Sequence, residues 1–300
     1  MKRYNSKKSL LGVGIMPTPL LNGKQEYFNV ISYYGGKYHL LEDTLDYIEK
    51  VAKHNNAHTY AECFGGGGKC VLNLDTLGYS FQHKIYNEWS SELCNIFRVL
   101  SDERKAELVY DMVNELEYSK ELFDFCKKNI SKDCFSEIEK AVMTYVLIRC
   151  SYNSNMKDFS KYHIEEDTIY RRSRVLLEAP EYLKNVEIIK SDYRDIMKKY
   201  GNDSRVIKYL DPPYHPLCRN QDALKVYPNE LNREQHIEFV DILCKSRGWI
   251  LAGYDPEQYG CDDYKLLVET GAMKVSLGRY NVSTASGKDN YKEEFIWYKY

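Results

Sequence analysis

The residues best suited to chemistry are Asp211-Pro212-Pro213-Tyr214, which set a carboxylate, two prolines and an aromatic ring side by side. Just ahead of them, Val206, Ile207 and Leu210 fit a short buried strand. Proline cannot donate to a strand ladder, so that strand is expected to end at Asp211. Two prolines in succession stiffen the chain beyond it. The strand end then presents a carboxylate, the free backbone carbonyl of Pro212 and the flat face of Tyr214. In open α/β sheets, ligands bind beyond such carboxyl ends. A plain strand-ending turn is the alternative, because Asp-Pro and Pro-Pro are ordinary turn dipeptides.

Three other stretches carry residues of the same kind. Tyr33-Tyr34-Gly35-Gly36-Lys37 precedes Leu40, Leu41, Leu45 and Ile48, which recur at helical spacing. Lys37 thus sits near a helix start on a glycine turn, where it suits an anionic partner. Glu62-Cys63-Phe64 leads into the run Gly65 to Gly68, between a short strand and a predicted helix. Such a run is costly in backbone entropy and suits close approach of a ligand to the backbone. It lacks the pattern of a Walker A loop. Glu88 comes at the end of a second strand, roughly two dozen positions on, where nucleoside-binding α/β folds carry an acid for ribose hydroxyls. The alternative for Glu88 is an acid at a helix N-terminus. Asp192-Tyr193 closes the strand Val186 to Lys190. It could hold an adenine ring by its amino group and face, or Asp192 could simply cap a helix.

The elements that must position these residues read as alternating strands and helices. Further strands are expected at Gly248 to Asp255, and a terminal hairpin at Val275 to Leu277 and Glu294 to Tyr298. Asn232, with Gln235 three residues later, predicts a capped helix to Cys244. Residues from Ser91 to Ile148 are mostly helical in pattern, succeeded by the polar turn Arg149 to Asn155 and by Arg171, Arg172 and Arg174. Those arginines could meet phosphates, or form a solvated face. Three hundred residues suit one large α/β domain or a domain with a substantial insertion. We divide the chain into a basic N-terminal arm (1–25), a main domain (26–90 and 180–300) and an inserted helical subdomain (91–179).

The formal charge of −2 argues against a wholly basic surface and leaves room for a local basic face. Nine cysteines with no Cys-x-x-Cys pair argue against a disulfide framework or a structural zinc site, and fit a reducing cytoplasm. The 28 tyrosines supply stacking faces with polar tips. No apolar run reaches membrane-spanning length.

In order and spacing, these motifs resemble the DNA N6-adenine methyltransferases of the α group, from about Ile31 onward. That family carries an aromatic-x-Gly-Gly-Lys element (Tyr33 to Lys37 here), Glu-Pro-Phe-x-Gly-x-Gly (Glu62 to Gly68) and an Asp-x-Asn element (Glu88-Trp89-Ser90). It also carries an Asn-Arg-x-x-Tyr-Asn-Gly-like element (Arg149, Tyr152, Asn153), an Asp-aromatic pair (Asp192-Tyr193) and Asp-Pro-Pro-Tyr. Its later Leu-Ser-Asn-x-Asp strand end is echoed by Leu251 to Asp255. This chain has Cys63 for the usual proline, Lys69 for a small residue, Glu88 for aspartate and Ser90 for asparagine.

The resemblance implies an α/β fold with a Rossmann-like methyltransferase sheet and an inserted helical target-recognition subdomain. It implies S-adenosylmethionine as cofactor, with Tyr33 and Lys37 on its methionine side and Phe64, Gly66 and Gly68 in the binding turn. Glu88 is then expected at the ribose, and Asp192 and Tyr193 at the cofactor's adenine. Asp211, Pro212 and Tyr214 become catalytic. Arg149, Tyr152, Asn153 and Tyr227 become DNA contacts. The implied partner is double-stranded DNA, for a cytoplasmic monomer that needs no metal and could pair with a restriction endonuclease. The alternatives are an N4-cytosine DNA methyltransferase, an inactive DNA-binding relative, or an RNA or small-molecule methylase. A Pro-Cys dipeptide, the nucleophile of cytosine-C5 methylases, is absent.

Overall fold

The computed structural model describes residues 27–33, 36–161, 172–218, 230–281 and 291–300. Its strands are β1 (Thr59–Glu62), β2 (His83–Asn87), β3 (Val186–Ile189), β4 (Val206–Leu210), β5 (Trp249–Gly253), β6 (Met273–Asn281) and β7 (Tyr291–Lys299). They form one seven-stranded sheet in the order β3-β2-β1-β4-β5-β7-β6. The first five are parallel, and β7 runs antiparallel between β5 and β6. The predicted terminal hairpin is therefore present at the sheet edge. β1 has β2 on one side and β4 on the other, so the strand order reverses there.

β1, β4 and β5 are buried along their whole length. Helices cover both faces, as parallel sheets require. Successive side chains on a strand point to opposite faces. Ile250 and Ala252 thus join one core cluster, while Trp249 and Leu251 join the other. On the first face α1 (Leu41–Asn55) and α2 (Ser91–Leu100) lie against the strands, and α3 (Glu103–Glu115), α5 (Glu137–Arg149) and α6 (Val175–Leu183) pack on α2 and on one another within the same core cluster. A shorter helix, α4 (Lys120–Asn129), lies between α3 and α5 in the chain. The second face is covered by α7 (Tyr193–Tyr200), α8 (Arg233–Cys244) and α9 (Lys265–Glu269).

α2 buries Leu93, Ile96, Phe97 and Leu100, the face that its spacing predicts. Leu93, Phe97, Val109 and Val113 enter the same cluster as Tyr60, Tyr86 and Ile207. The helical block from residue 91 is thus a layer of the main core at its start. Phe123, Cys126, Val146 and Leu147, on α4 and α5, form a small cluster of their own. Both halves of the expected capping box at Asn232 and Gln235 are made. The helix expected after the glycine run is instead a 3-10 stretch, Val71–Thr76.

Candidate active site

β4 ends at Leu210, and Asp211 emerges beside the carboxyl end of β1, where Cys63 donates its amide to the Tyr209 carbonyl at 2.9 Å. The base of the site is an ion pair between Lys37 and Asp211. Lys37 arrives on the segment before α1, preceding a 3-10 turn at Tyr38–Leu40. Its Nζ also lies 3.9 Å from Glu294 Oε2 and 4.8 Å from the centre of the Tyr214 ring. Burial pulls the Lys37 ammonium down, but the Asp211 and Glu294 carboxylates outweigh it and leave its pKa above the usual value. The Tyr214 hydroxyl donates to Glu294 Oε1 at 2.9 Å. One face of Tyr214 is stacked on Tyr254, with ring centres 4.0 Å apart.

The glycine turn is pinned from below. Gly65 donates its amide to the Asn87 carbonyl at 2.8 Å, and the Tyr86 hydroxyl donates to the Gly66 carbonyl at 2.8 Å. A Cβ on Gly65 would overlap the Tyr86 ring. Gly66 has φ +49°, a left-handed conformation that favours glycine. Asn87 donates to the Cys63 and Ser191 carbonyls at 3.0 and 3.2 Å. It thereby ties together the carboxyl ends of β1, β2 and β3. Glu62 ends β1 with its carboxylate buried, accepting the Val71 amide at 2.9 Å. Burial pushes its pKa up to about 8.

These ends surround a cavity of about 500 Å³. Its wall brings together Asp211, Pro212 and Tyr214 with Tyr33, Lys37, Phe64, Gly66, Glu88, Asp192 and Tyr193. Gly68 is not in the wall. It turns under the loop at φ +65°, against Phe97, so its part is to shape the turn. Lys37, expected toward the methionine end, lines the cavity with its ammonium held by Asp211. Glu88 accepts the Gly66 and Ser90 amides, both at 2.9 Å, and so latches the glycine turn to the start of α2. Burial raises its pKa. Asp192 caps α7, accepting the Arg194 amide at 2.8 Å and its guanidinium at 2.9 Å. Phe64 and Tyr193 stack with ring centres 5.0 Å apart.

The DNA-contact candidates lie elsewhere. Arg149 is buried. It donates to the Val30 carbonyl at 3.4 Å and stacks against Tyr145, so it serves as an internal tie where a surface contact was expected. Tyr152 and Asn153 are exposed on a 3-10 turn, with Asn153 at φ +49°. Tyr227 lies outside the described residues. Glu294, Tyr254, Asn87 and Glu62 line or brace the site although sequence reasoning gave them no role. A buried-strand glutamate beside an apolar run was the one signal that Glu294 carried. No helix among the described residues is long and apolar enough to cross a membrane.

Comparison with known proteins agrees with this geometry. The type II methyltransferase M.MjaIII of Methanocaldococcus jannaschii is 24% identical over 228 residues, 70% of this chain and 77% of that protein. The type II methyltransferase M1.LlaDCHI of Lactococcus lactis subsp. cremoris is 28% identical over 209 residues, covering 65% of this chain and 68% of that one. The model of the D12 class N6 adenine-specific DNA methyltransferase matches residues 33–248, which include the glycine turn and the Asp-Pro-Pro-Tyr shelf. With that match spanning most of its length, the chain belongs to the D12 class of N6 adenine-specific DNA methyltransferases.

Proposed function

We propose that this adenine-specific DNA methyltransferase uses S-adenosylmethionine and acts on an adenine turned out of the duplex, with Asp211, Pro212 and Tyr214 as the groups that meet the base. The observation that carries this reading is that one cavity joins the glycine turn at the end of β1 to the shelf at the end of β4. Such a switch point is where open α/β sheets bind their ligands. The wall fits the cofactor chemically. It offers an aromatic pair at Phe64 and Tyr193, acids at Glu88 and Asp192, a left-handed glycine turn and a lysine ammonium.

The exocyclic amine of adenine is a poor nucleophile, because its lone pair is delocalised into the ring. Asp211 accepts one N6 hydrogen and the Pro212 carbonyl accepts the other. The lone pair is then localised on nitrogen, and positive charge developing there meets fixed oxygens. S-adenosylmethionine supplies the activated methyl group. Tyr214 has one face on Tyr254 and the Lys37 ammonium 4.8 Å from its ring centre, so a base that stacks on Tyr214 meets that ammonium beside it. Turning the base out costs a few kcal/mol. Stacking on an aromatic face offsets about 1–3 kcal/mol of that. The segment 91–179 is the part assigned to target recognition, with Tyr152 and Asn153 as its exposed contacts, and the enzyme works in the cytoplasm beside its DNA.

Transfer of tritiated methyl from S-adenosylmethionine to unmethylated duplex DNA tests the reading. Asp211→Ala is expected to abolish transfer while circular dichroism stays unchanged. Near-normal transfer by that variant would remove Asp211 from the chemistry. Failure of the wild-type protein both to transfer methyl to any DNA and to bind the cofactor would sink the whole proposal.

A further inference from the structure

Among the described residues, Lys37 and Lys69 face the cavity, and of the two Lys37 has an anionic partner. Lys37 is engaged by Asp211 and approached by Glu294. The Lys69 ammonium has no hydrogen bond and no ion pair among the described residues, and its Nζ stands 5.8 Å from the centre of the Tyr38 ring. Lys69 is nonetheless partly buried. Burial lowers its pKa, and the attraction of Asp211 does not make up the loss. Its side chain lies beside Gly36, where an added Cβ would overlap the ammonium. The glycine at position 36 therefore leaves room for the charge of Lys69. Arg194, the other cation in the wall among the described residues, is already held by Asp192 and Glu238.

A partly desolvated ammonium without a counter-ion is expensive to keep. It is explained if a ligand supplies the anion. S-adenosylmethionine carries one anionic group, the carboxylate of its amino-acid end. We propose that Lys69 is the counter-ion for that carboxylate, so that Lys69 reads the amino-acid end of the cofactor while Lys37 stays with the catalytic carboxylate. The inference rests on S-adenosylmethionine being the cofactor.

The test compares two nucleosides by calorimetry. S-adenosylhomocysteine has the amino-acid carboxylate, and methylthioadenosine lacks the amino-acid group entirely. Wild-type protein is expected to bind the first more tightly. In Lys69→Met, affinity for S-adenosylhomocysteine is expected to fall about 10- to 100-fold, the scale of a charge-assisted hydrogen bond, while methylthioadenosine binds as before. Lys69→Gln, which keeps a donor and loses the charge, is expected to fall between. Thermal melting without ligand serves as the folding control, and Lys69→Met is expected to melt no lower than wild type. Equal losses for both nucleosides, or none for either, would overturn the role of Lys69. So would a loss confined to DNA affinity, which would assign Lys69 to a phosphate. A wild-type protein that binds neither nucleoside defeats the cofactor reading itself, an outcome distinct from failure of the Lys69 assignment.

Discussion

Glu294 holds the hydroxyl end of Tyr214. One carboxylate oxygen accepts the Tyr214 hydroxyl, and the other lies 3.9 Å from Lys37 with no hydrogen-bond partner among the described residues. Glu294→Ala removes the acceptor of the Tyr214 hydroxyl and leaves the stack on Tyr254 in place. Methyl transfer in a single turnover is expected to slow by about tenfold or more, the scale of one hydrogen bond to a charged group. Glu294→Gln keeps an acceptor oxygen and is expected to lose less. Equal rates in the two variants would show that the hydroxyl contact is immaterial. Glu62 leads to a different measurement. Its folded pKa of about 8 lies above the ordinary value of 4.5, so the folded protein holds a proton that the unfolded chain releases. Its contribution to stability is complete below about pH 4.5 and is lost as pH rises through about 8. The slope approaches 1.4 kcal/mol per pH unit at most, and only inside that window. Urea unfolding of the ligand-free protein at several pH values is expected to show this decline, and Glu62→Gln to flatten it. A decline of the same slope in Glu62→Gln would place its origin elsewhere. Asp211, Tyr214, Phe64 and Asp192 were legible because their residue types sit at strand ends, where local pattern is informative. Glu294 was not, since nothing local tells that a glutamate on β7 meets a tyrosine 80 positions earlier.

At the scale of elements, the glycine turn works through what lies beneath it. Gly65 is pressed against Tyr86, and Gly66 takes a left-handed turn beside Tyr33. A methyl at position 65 must displace a fully buried ring. Gly65→Ala is therefore expected to cost about 1–3 kcal/mol in urea unfolding and to weaken nucleoside binding in parallel. Unchanged stability would mean that the turn relaxes freely and that its glycine serves another end. The turn itself was plain in the sequence, because four successive glycines have few other uses. The helix expected beyond it became a 3-10 stretch, since Glu62 takes the Val71 amide and Asn73 bonds the Phe28 backbone, which together tighten the segment. Asn87 escaped notice because an asparagine at the end of a strand reads as an ordinary turn residue. Its value lies in the two carbonyls it reaches from neighbouring strands.

The whole molecule is a sheet whose strands could be named in advance but not ordered from pattern alone. Short runs marked each of the seven described strands, but β6 and β7 extend to nine residues each where three and five were expected. Their order, with β4 beside β1 and β7 between β5 and β6, depends on pairings that span most of the chain. The slight net negative charge says little about DNA at this scale, because an overall balance of 42 basic against 44 acidic residues is compatible with a local basic face. The pairing of β1 with β4 also has a meaning in time. Lys37 and Asp211 are 174 positions apart, and the entropy of closing so long a loop must be met before their contact stabilises anything. Parallel, non-local pairing of this kind forms slowly. A chain that has built β1 and β2 but not β4 owns a glycine turn and no shelf for a base. On the proposed mechanism the chemistry is thereby confined to molecules that have finished folding, and the ion pair between Lys37 and Asp211 records that the two distant halves have met.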